Sequence, residues 1–297
     1  MPDPRIPPTE MSEPAPKRGK YRRAKLRHLI LTVTADRITR GHLVRRHVEQ
    51  PVEAREIAIA LPSWPIAYDG IRIAHVSDFH VGHLMTVERA VGLLEGVAAL
   101  RADLVACTGD IVDLDAHGVG PVLAALGQCR APLGSMLVLG NHDHLDDPRF
   151  IVREAEAAGV TALRDETLSV GPRGARLRIG GIEWDRTIRG CGRRVGRVWQ
   201  LGKGIDLLLA HNPKAFVAAA RFGVPLTLAG HTHGRQFALK RRAAGDAAAD
   251  PGFARRLNAG LYARGGSALF VTVGLGAWFP LRVNCPPEIA VMTVKRG

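Results

Sequence analysis

The stretch Leu104-Val105-Ala106-Cys107-Thr108-Gly109-Asp110-Ile111-Val112-Asp113 decides how the chain is read. Its four leading apolar residues, closely flanked, read as a short buried strand. Gly109 then turns the backbone, and Asp110 emerges at the strand's C-terminal end. Open α/β sheets place their ligands at that edge. A carboxylate there can bridge two cations, since its oxygens offer about four lone-pair sites. Alone, Gly-Asp at a strand end is ordinary turn chemistry. Four further polar clusters at the ends of other predicted strands give it a different weight.

Upstream, Val52–Leu61 alternates Ile57, Ile59 and Leu61 as a half-buried strand does. The strand Ile71–Val76 ends in Ser77-Asp78-Phe79-His80, and a helix over Val87–Leu100 leads into Leu104. Downstream, a helix at Val122–Leu126 precedes the strand Met136–Leu139, which ends in Gly140-Asn141-His142-Asp143. A helix over Arg149–Ala158 and a strand over Ala175–Ile182 follow, and the Gly/Arg-rich piece 186–204 reads as a loop. Strand Ile205–Ala210 ends in His211, with a helix over Pro213–Ala220. Strand Leu226–Ala229 ends in Gly230-His231-Thr232-His233. Residues 238–259 read as a loop, and Leu269–Val273 and Ile289–Val294 close the chain as strands. Strand, polar end, helix, repeated, predicts an α/β fold with its chemistry at one sheet edge.

The 297 residues suffice for one large domain or two small ones, and 46% hydrophobic content supports a substantial core. Aromatics at 5% argue against a base-stacking platform for single-stranded nucleic acid. Cys107, Cys129, Cys191 and Cys285 form no C-x-x-C pair, as expected of reduced thiols in a cytoplasmic protein.

Charge is concentrated in an arm. Residues 17–46 hold eleven Lys/Arg against one acid, Asp36, a net +10 of the chain's +13. Residues 1–16 are Pro-rich with few apolar side chains and read as disordered. Between Tyr21 and Val48, Leu26, Leu29, Ile30 and Val33 recur at helical spacing among basic residues. The expected organisation is therefore a basic amphipathic arm, 1–51, and a catalytic domain, 52–297. Leu29–Ala35, the longest apolar stretch of the arm, falls far short of the ~20 residues a spanning helix needs. Arg22-Arg23 resembles a twin-arginine signal, but no Ala-x-Ala site follows before Asp36. Residues 17–48 read either as a segment lying on an anionic membrane surface or as a helix packed on the domain or left in solvent. Lys/Arg attraction to phosphate is sequence-blind, so the arm alone does not separate nucleic acid from anionic lipid.

Five strand ends together deliver Asp78 and His80, Asp110 and Asp113, Asn141 and His142, His211, and His231 and His233. Mixed Asp/Asn/His donors without cysteine suit Mn²⁺, Fe or Zn²⁺. In extended backbone, the D-x-H and H-x-H spacings aim both side chains of a pair the same way. Seven candidate ligands, Asp78, His80, Asp110, Asn141, His211, His231 and His233, suit two divalent transition metals ~3.5–4 Å apart better than one.

This series resembles the calcineurin-like metallophosphoesterase signature across about residues 70–235. Gly260-Leu261-Tyr262, Gly274-Leu275-Gly276 and Pro287-Glu288-Ile289 are similar to its bacterial YkuE-like branch. The resemblance implies a four-layer fold, two packed mixed β-sheets flanked by helices, with the dimetal site at strand C-terminal ends. It implies that Asp78, His80 and His233 hold one metal, that Asn141, His211 and His231 hold the other, and that Asp110 bridges. His142 would be the catalytic histidine, poised by Asp113. The implied activity is hydrolysis of a phosphoester or pyrophosphate bond in a phosphorylated small-molecule or lipid-linked substrate. UDP-2,3-diacylglucosamine, an intermediate of lipid A synthesis, is one such substrate in the branch. A nuclease is the alternative. A metal-free scaffold would have lost ligands, and none is missing.

The sequence departs from the branch in two places. Its Gly-His-Thr-His-Gly-Gly-Gln motif has Arg235 for the second of its adjacent glycines, a residue that either reshapes the rim or reaches a substrate phosphate. Arg282 and Asn284, beside the Gly274–Gly276 turn, read either as structural residues or as lining the pocket, which makes Arg282 a second candidate for substrate binding. The N-terminus also lacks the longer hydrophobic anchor or export signal of such proteins. That favours a cytoplasmic location, peripheral on the inner face of the membrane. His75, inside a strand, reads as a core or edge residue, and His83, His117 and His144, near the site, either as supports of the ligands or as solvated loop residues.

Overall fold

Leu207, Leu208, Leu209 and Ala210 are all fully buried, which a strand achieves only when both faces of its sheet are covered. The computed structural model of the chain, describing residues 18–237 and 257–297, shows how they are covered. In chain order the strands are β1 (Glu53–Leu61), β2 (Ile71–Val76), β3 (Leu104–Cys107), β4 (Ser135–Leu137), β5 (Thr161–Ala162) and β6 (Glu166–Val170). They continue as β7 (Leu177–Ile182), β8 (Leu207–Ala210), β9 (Leu226–Ala229), β10 (Gly260–Arg264), β11 (Ser267–Val271) and β12 (Glu288–Arg296). The helices are α1 (Arg18–His28), α2 (Ala35–Ile38), α3 (His42–Val48), α4 (Val87–Ala99), α5 (Gly120–Gly127), α6 (Pro148–Ala157), α7 (Ile188–Leu201) and α8 (Phe216–Arg221).

Two six-stranded sheets result, ordered β1-β12-β2-β3-β4-β5 and β10-β11-β9-β8-β7-β6. Both are mixed. Strands β2 to β5 run parallel, and β12 pairs antiparallel with β2 and parallel with β1. In the second sheet β7, β8, β9 and β11 run parallel between antiparallel edges β6 and β10.

Side-chain alternation divides each apolar strand between two cores. Ile73, Leu104 and Met136 of one sheet meet Leu207, Leu226 and Phe270 of the other in the central layer. Their neighbours Ala74, Val105 and Leu137 face outward onto Leu94, Leu123 and Ile151 of α4, α5 and α6. On the far side, Leu208, Ala210 and Leu269 pack on Val195, Val198 and Phe216 of α7 and α8. Helix, sheet, sheet, helix is the expected four-layer architecture.

Several local readings need correction. Residues 186–204 are not a loop, since α7 fills most of that span. Gly190, Gly192 and Gly196 each lower helix propensity by about 1 kcal/mol. Burial of Cys191, Val195 and Val198 along one face, with Thr187 capping Gly190 N, overrides it. Strands β5, β6 and β10 were not anticipated, because β5 has two residues and the others are half-exposed edges. Of the segment read as loop over 238–259, residues 238–256 lie outside the described residues, as do 1–17.

The arm is helical but not one helix. After α1 the chain widens into a π-helical turn, Leu29–Thr34, and breaks at Arg40 and Gly41, whose φ angles are 52° and 80°. Thr32 and His47 are buried, so this segment is laid against the domain.

His75 is a core residue. It is fully buried in β2, its Nε2 lies 2.8 Å from Thr108 Oγ1, and it meets Phe270 of the facing sheet edge-on. Burial pushes its pKa from 6.5 down to about 3. The unfolded chain therefore binds a proton that the folded chain refuses, and stability falls as pH drops from 6.5 towards 3. His75→Gln keeps a hydrogen-bonding group for Thr108 without the titration. In metal-stripped protein its melting temperature should fall less steeply than wild type between about pH 6 and 4, as calorimetry would show.

Candidate active site

Five strand ends bring the expected ligands together. Asp78 and His80 follow β2, Asp110 follows β3, Asn141 and His142 follow β4, His211 follows β8, and His231 and His233 follow β9. Donor atoms of Asp78, His80 and His233 lie within 4.8 Å of one another, as do those of Asp110, His211 and His231. Asp110 Oδ2 joins the groups, 3.6 Å from His80 Nε2 and 3.2 Å from His211 Nε2. Its Oδ1 accepts from the backbone N–H of His142 at 2.7 Å, so a single oxygen is left to serve both sides.

Backbone shape accounts for this convergence, and it is not the extended shape inferred from D-x-H spacing. Asp78, His80, Asp110, His231 and His233 have φ between 49° and 74°. Non-glycine residues enter this left-handed region at a cost and stay only where their surroundings hold them. Asp143 is a principal holder. Its fully buried carboxylate accepts N–H bonds from Asp110, Ile111, Val112 and Gly140 at 2.7–3.3 Å. Asp78 is aimed similarly, by the His231 N–H at 3.0 and 3.1 Å from its two oxygens. Gly109 and Gly140 let the loops touch, since a Cβ on Gly140 would sit 2.2 Å from Asp110 Oδ1.

The donor set fits cations. Asp78 and Asp110 are buried, and among the described residues their ion-pair partners are histidines alone. Among the described residues Asn141 Oδ1 is buried without a hydrogen-bond partner, and His211 Nε2 is buried 3.2 Å from Asp110 Oδ2. His80 Nε2 and His233 Nε2 face each other at 3.0 Å, close enough for one to donate to the other or for both lone pairs to address one cation. Burial would lower His211, but Asp110, with Asp78 behind it, raises it to about 9. The carboxylates thus favour positive charge at this point of the site. Burial and His211 push His231 down to about 3, leaving a neutral ligand.

His142 stands beside this cluster. Its Nδ1 lies 2.6 Å from the Asp113 carbonyl and 3.2 Å from Asp113 Oδ1, so Nδ1 carries hydrogen and Nε2 looks into the site. Burial opposes ionisation of Asp113, but hydrogen bonds from His142, His28 and His80 hold its carboxyl well below the usual range. Burial likewise disfavours protonated His142, yet Asp110 and Asp113 together raise its pKa.

Four residues of this region had no assigned role. Asp143 lies within Gly140-Asn141-His142-Asp143, where its spacing does not mark it as a tether of two loops. Trp184 follows β7 and packs 4.6 Å from the His231 ring and 5.4 Å from His211, so the strand-end rule that found the ligands applies to it too. Arg27 Nη2 donates to His142 Nε2 at 3.2 Å, and His28 Nδ1 lies 3.1 Å from Asp113 Oδ2. No sequence signal pointed to these two.

Of the two readings of Arg282, the structure favours the structural one over substrate binding. It is buried, and its guanidinium donates to the carbonyls of Val273, Gly274, Gly276 and Cys285, tying down the loop behind His233. Arg235 does sit where glycine is favoured, at φ 61°, with its Nε 3.3 Å from Asn258 Oδ1. Of the outlying histidines, His117 is exposed beside Asp115, and the His83 ring packs edge-on against His28. His144 binds Glu183 at 2.8 Å; burial opposes it, but this contact and Arg164 lower Glu183 to about 2.

A family model described as calcineurin-like phosphoesterase matches residues 71–235, spanning every proposed ligand. The chain belongs to this family. It is a phosphoester hydrolase with a site built for a dimetal centre. An uncharacterized metallophosphoesterase of Bacillus subtilis (strain 168), YkuE, is 29% identical over 265 residues, covering 86% of this chain and 90% of the relative. Phosphodiesterase YaeI of Escherichia coli (strain K12) is 27% identical, covering 74% and 81% respectively.

Asp143→Asn tests the support of the ligand loops. An amide would leave two buried N–H groups facing its NH₂, destabilising the fold by about 2–3 kcal/mol. Bound metal, read by elemental analysis of the folded fraction, should fall with it.

Proposed function

We propose that the chain is a two-metal phosphodiesterase or pyrophosphatase acting on a lipid-linked phosphate at an anionic membrane surface. In this reading Asp78, His80 and His233 hold one cation, Asn141, His211 and His231 the other, and Asp110 is shared. The observation that carries it is the one oxygen of Asp110, Oδ2, set between His80 and His211 while Oδ1 accepts from the His142 N–H. Bound there, two divalent cations supply Lewis-acid activation of water and neutralise phosphate charge, the electrostatic work phosphoryl transfer chiefly needs.

The chain's own residues do the rest. Asp113 fixes the His142 ring through Nδ1, so Nε2, which accepts from Arg27 here, is the atom that would carry a proton to the departing oxygen once a substrate phosphate draws Arg27 away. The Asp113 carboxylate favours the positive imidazole this step requires. Trp184 covers His211 and His231 and limits stray water.

A lipid-linked substrate is supported by the arm. Leu26, Leu29 and Ile30 are exposed, 49–56%, on the segment that reaches His142, and basic residues surround them. Among the described residues no helix is long and apolar enough to cross a membrane, so contact would be peripheral. The pyrophosphate of a nucleotide-linked diacyl sugar such as UDP-2,3-diacylglucosamine has the chemistry required.

Elemental analysis after growth with added Mn²⁺ should find two bound transition metals per chain, and a stoichiometry near zero for Mn, Fe and Zn would sink the reading. Asp110→Asn should abolish activity more fully than His80→Ala, because Asp110 alone serves both cations. His142→Asn should retain metal but lose about 10²–10⁴-fold in turnover. Loss of metal as complete as in Asp110→Asn would refute its role.

Vesicle co-sedimentation tests the surface. The full chain should bind anionic vesicles at low salt and release in about 0.5 M salt, where screening is short-ranged. A chain starting at Val52 should not bind, and equal partitioning of the two would exclude the arm as the tether.

A further inference from the structure

The arm does more than carry charge. Arg27, His28 and Thr32 all reach the catalytic face. Arg27 Nη2 donates to His142 Nε2 at 3.2 Å, and its guanidinium lies over the Trp278 ring, 5.2 Å from the centroid. Fully buried Thr32 donates to the carbonyl of the same Trp278 at 3.4 Å, and His28 Nδ1 sits 3.1 Å from Asp113 Oδ2. The π-helical turn begins directly after His28, a helix distortion often found at functional sites. These contacts fix the helix in place, which a solvated tail would not be.

We infer that Arg27 is a substrate-binding residue that takes a non-bridging oxygen of the phosphate being hydrolysed. The inference rests on the phosphodiesterase reading above. A guanidinium matches phosphate geometry with paired N–H donors, and stacking on an aromatic ring pre-orients it. Arg27 is held at Nε2 of His142, the atom assigned to the departing oxygen, and is thus within reach of the same phosphate. Arg282 cannot take this role, because it is buried and carbonyls engage both its Nη1 and Nη2 groups. With one of five N–H donors engaged by hydrogen bonding among the described residues, Arg27 has capacity for a bidentate anion. The substrate phosphate is then bound between the domain's ligand cluster and a residue of the arm, beside the exposed Leu26, Leu29 and Ile30.

The test uses the full chain loaded with Mn²⁺, bis(p-nitrophenyl) phosphate as substrate and inorganic phosphate as a titrant in calorimetry. Arg27→Ala, on an exposed helix face, should keep its metal and fold. It should lose about ten- to a hundredfold in kcat/KM and weaken phosphate binding about tenfold or more. Arg27→Lys, which keeps charge without the fork, should recover part of both. Unchanged phosphate affinity in Arg27→Ala, or no phosphate binding to wild type, overturns the inference. A rise in kcat on removing Arg27 also overturns it, since the contact with His142 would then be a block. If wild type binds phosphate but hydrolyses no phosphodiester, the phosphodiesterase reading fails, while the calorimetry still decides the role of Arg27.

Discussion

Two buried carboxylates, Asp78 and Asp110, lack any lysine or arginine ion-pair partner among the described residues, and the architecture around them answers to that charge. Desolvated anions are costly unless something positive or hydrogen-bonding meets them. Backbone amides orient both groups, histidines ring them, and the remaining lone pairs converge. The four layers provide the frame: parallel strands in two sheets present their C-terminal ends to one edge, where loops can cross at close range. Asp143 keeps that crossing fixed. It bonds to backbone on both loops, so it sets the position of Asp110 without entering the ligand set.

Much of this was legible beforehand, for a physical reason. Strands buried on both faces show as short apolar runs, so β2, β3 and β9 could be bounded to the residue and the polar residues after them picked out. The family motif then supplied roles. The orientation argument was mistaken, however: ligands two apart face one point through left-handed turns and not through strand alternation. Helix α7 was hidden because its glycines argue locally against a helix, while its apolar stripe counts only once a sheet lies beneath it. Arg27 and His28 were illegible in principle. Their contacts lie 115 and 85 residues away in sequence and follow from how the arm folds back, which no spacing encodes.

The arm also changes the meaning of the charge distribution. Read from composition, the +10 segment is separate from a nearly neutral body. In the folded chain its inner side meets His142, Asp113 and Trp278, while Leu26, Leu29 and Ile30 stay outside. The segment from α1 into the π-helical turn therefore has a catalytic side and an apolar side. Anything that displaces it from the domain alters both at once.

The left-handed residues of the site set a limit on how stable this protein can become. Asp78, His80, Asp110, His231, His233 and Arg235 each occupy a conformation in which glycine would rest more easily. Five of them are proposed ligands and cannot be exchanged without losing chemistry. Selection for thermal robustness therefore meets a trade-off at these positions, because the substitutions that relieve the backbone remove the ligands. Arg235 is the exception, as its proposed role does not include metal binding. It is the one place in the motif where returning to glycine could release strain while leaving the ligand set whole.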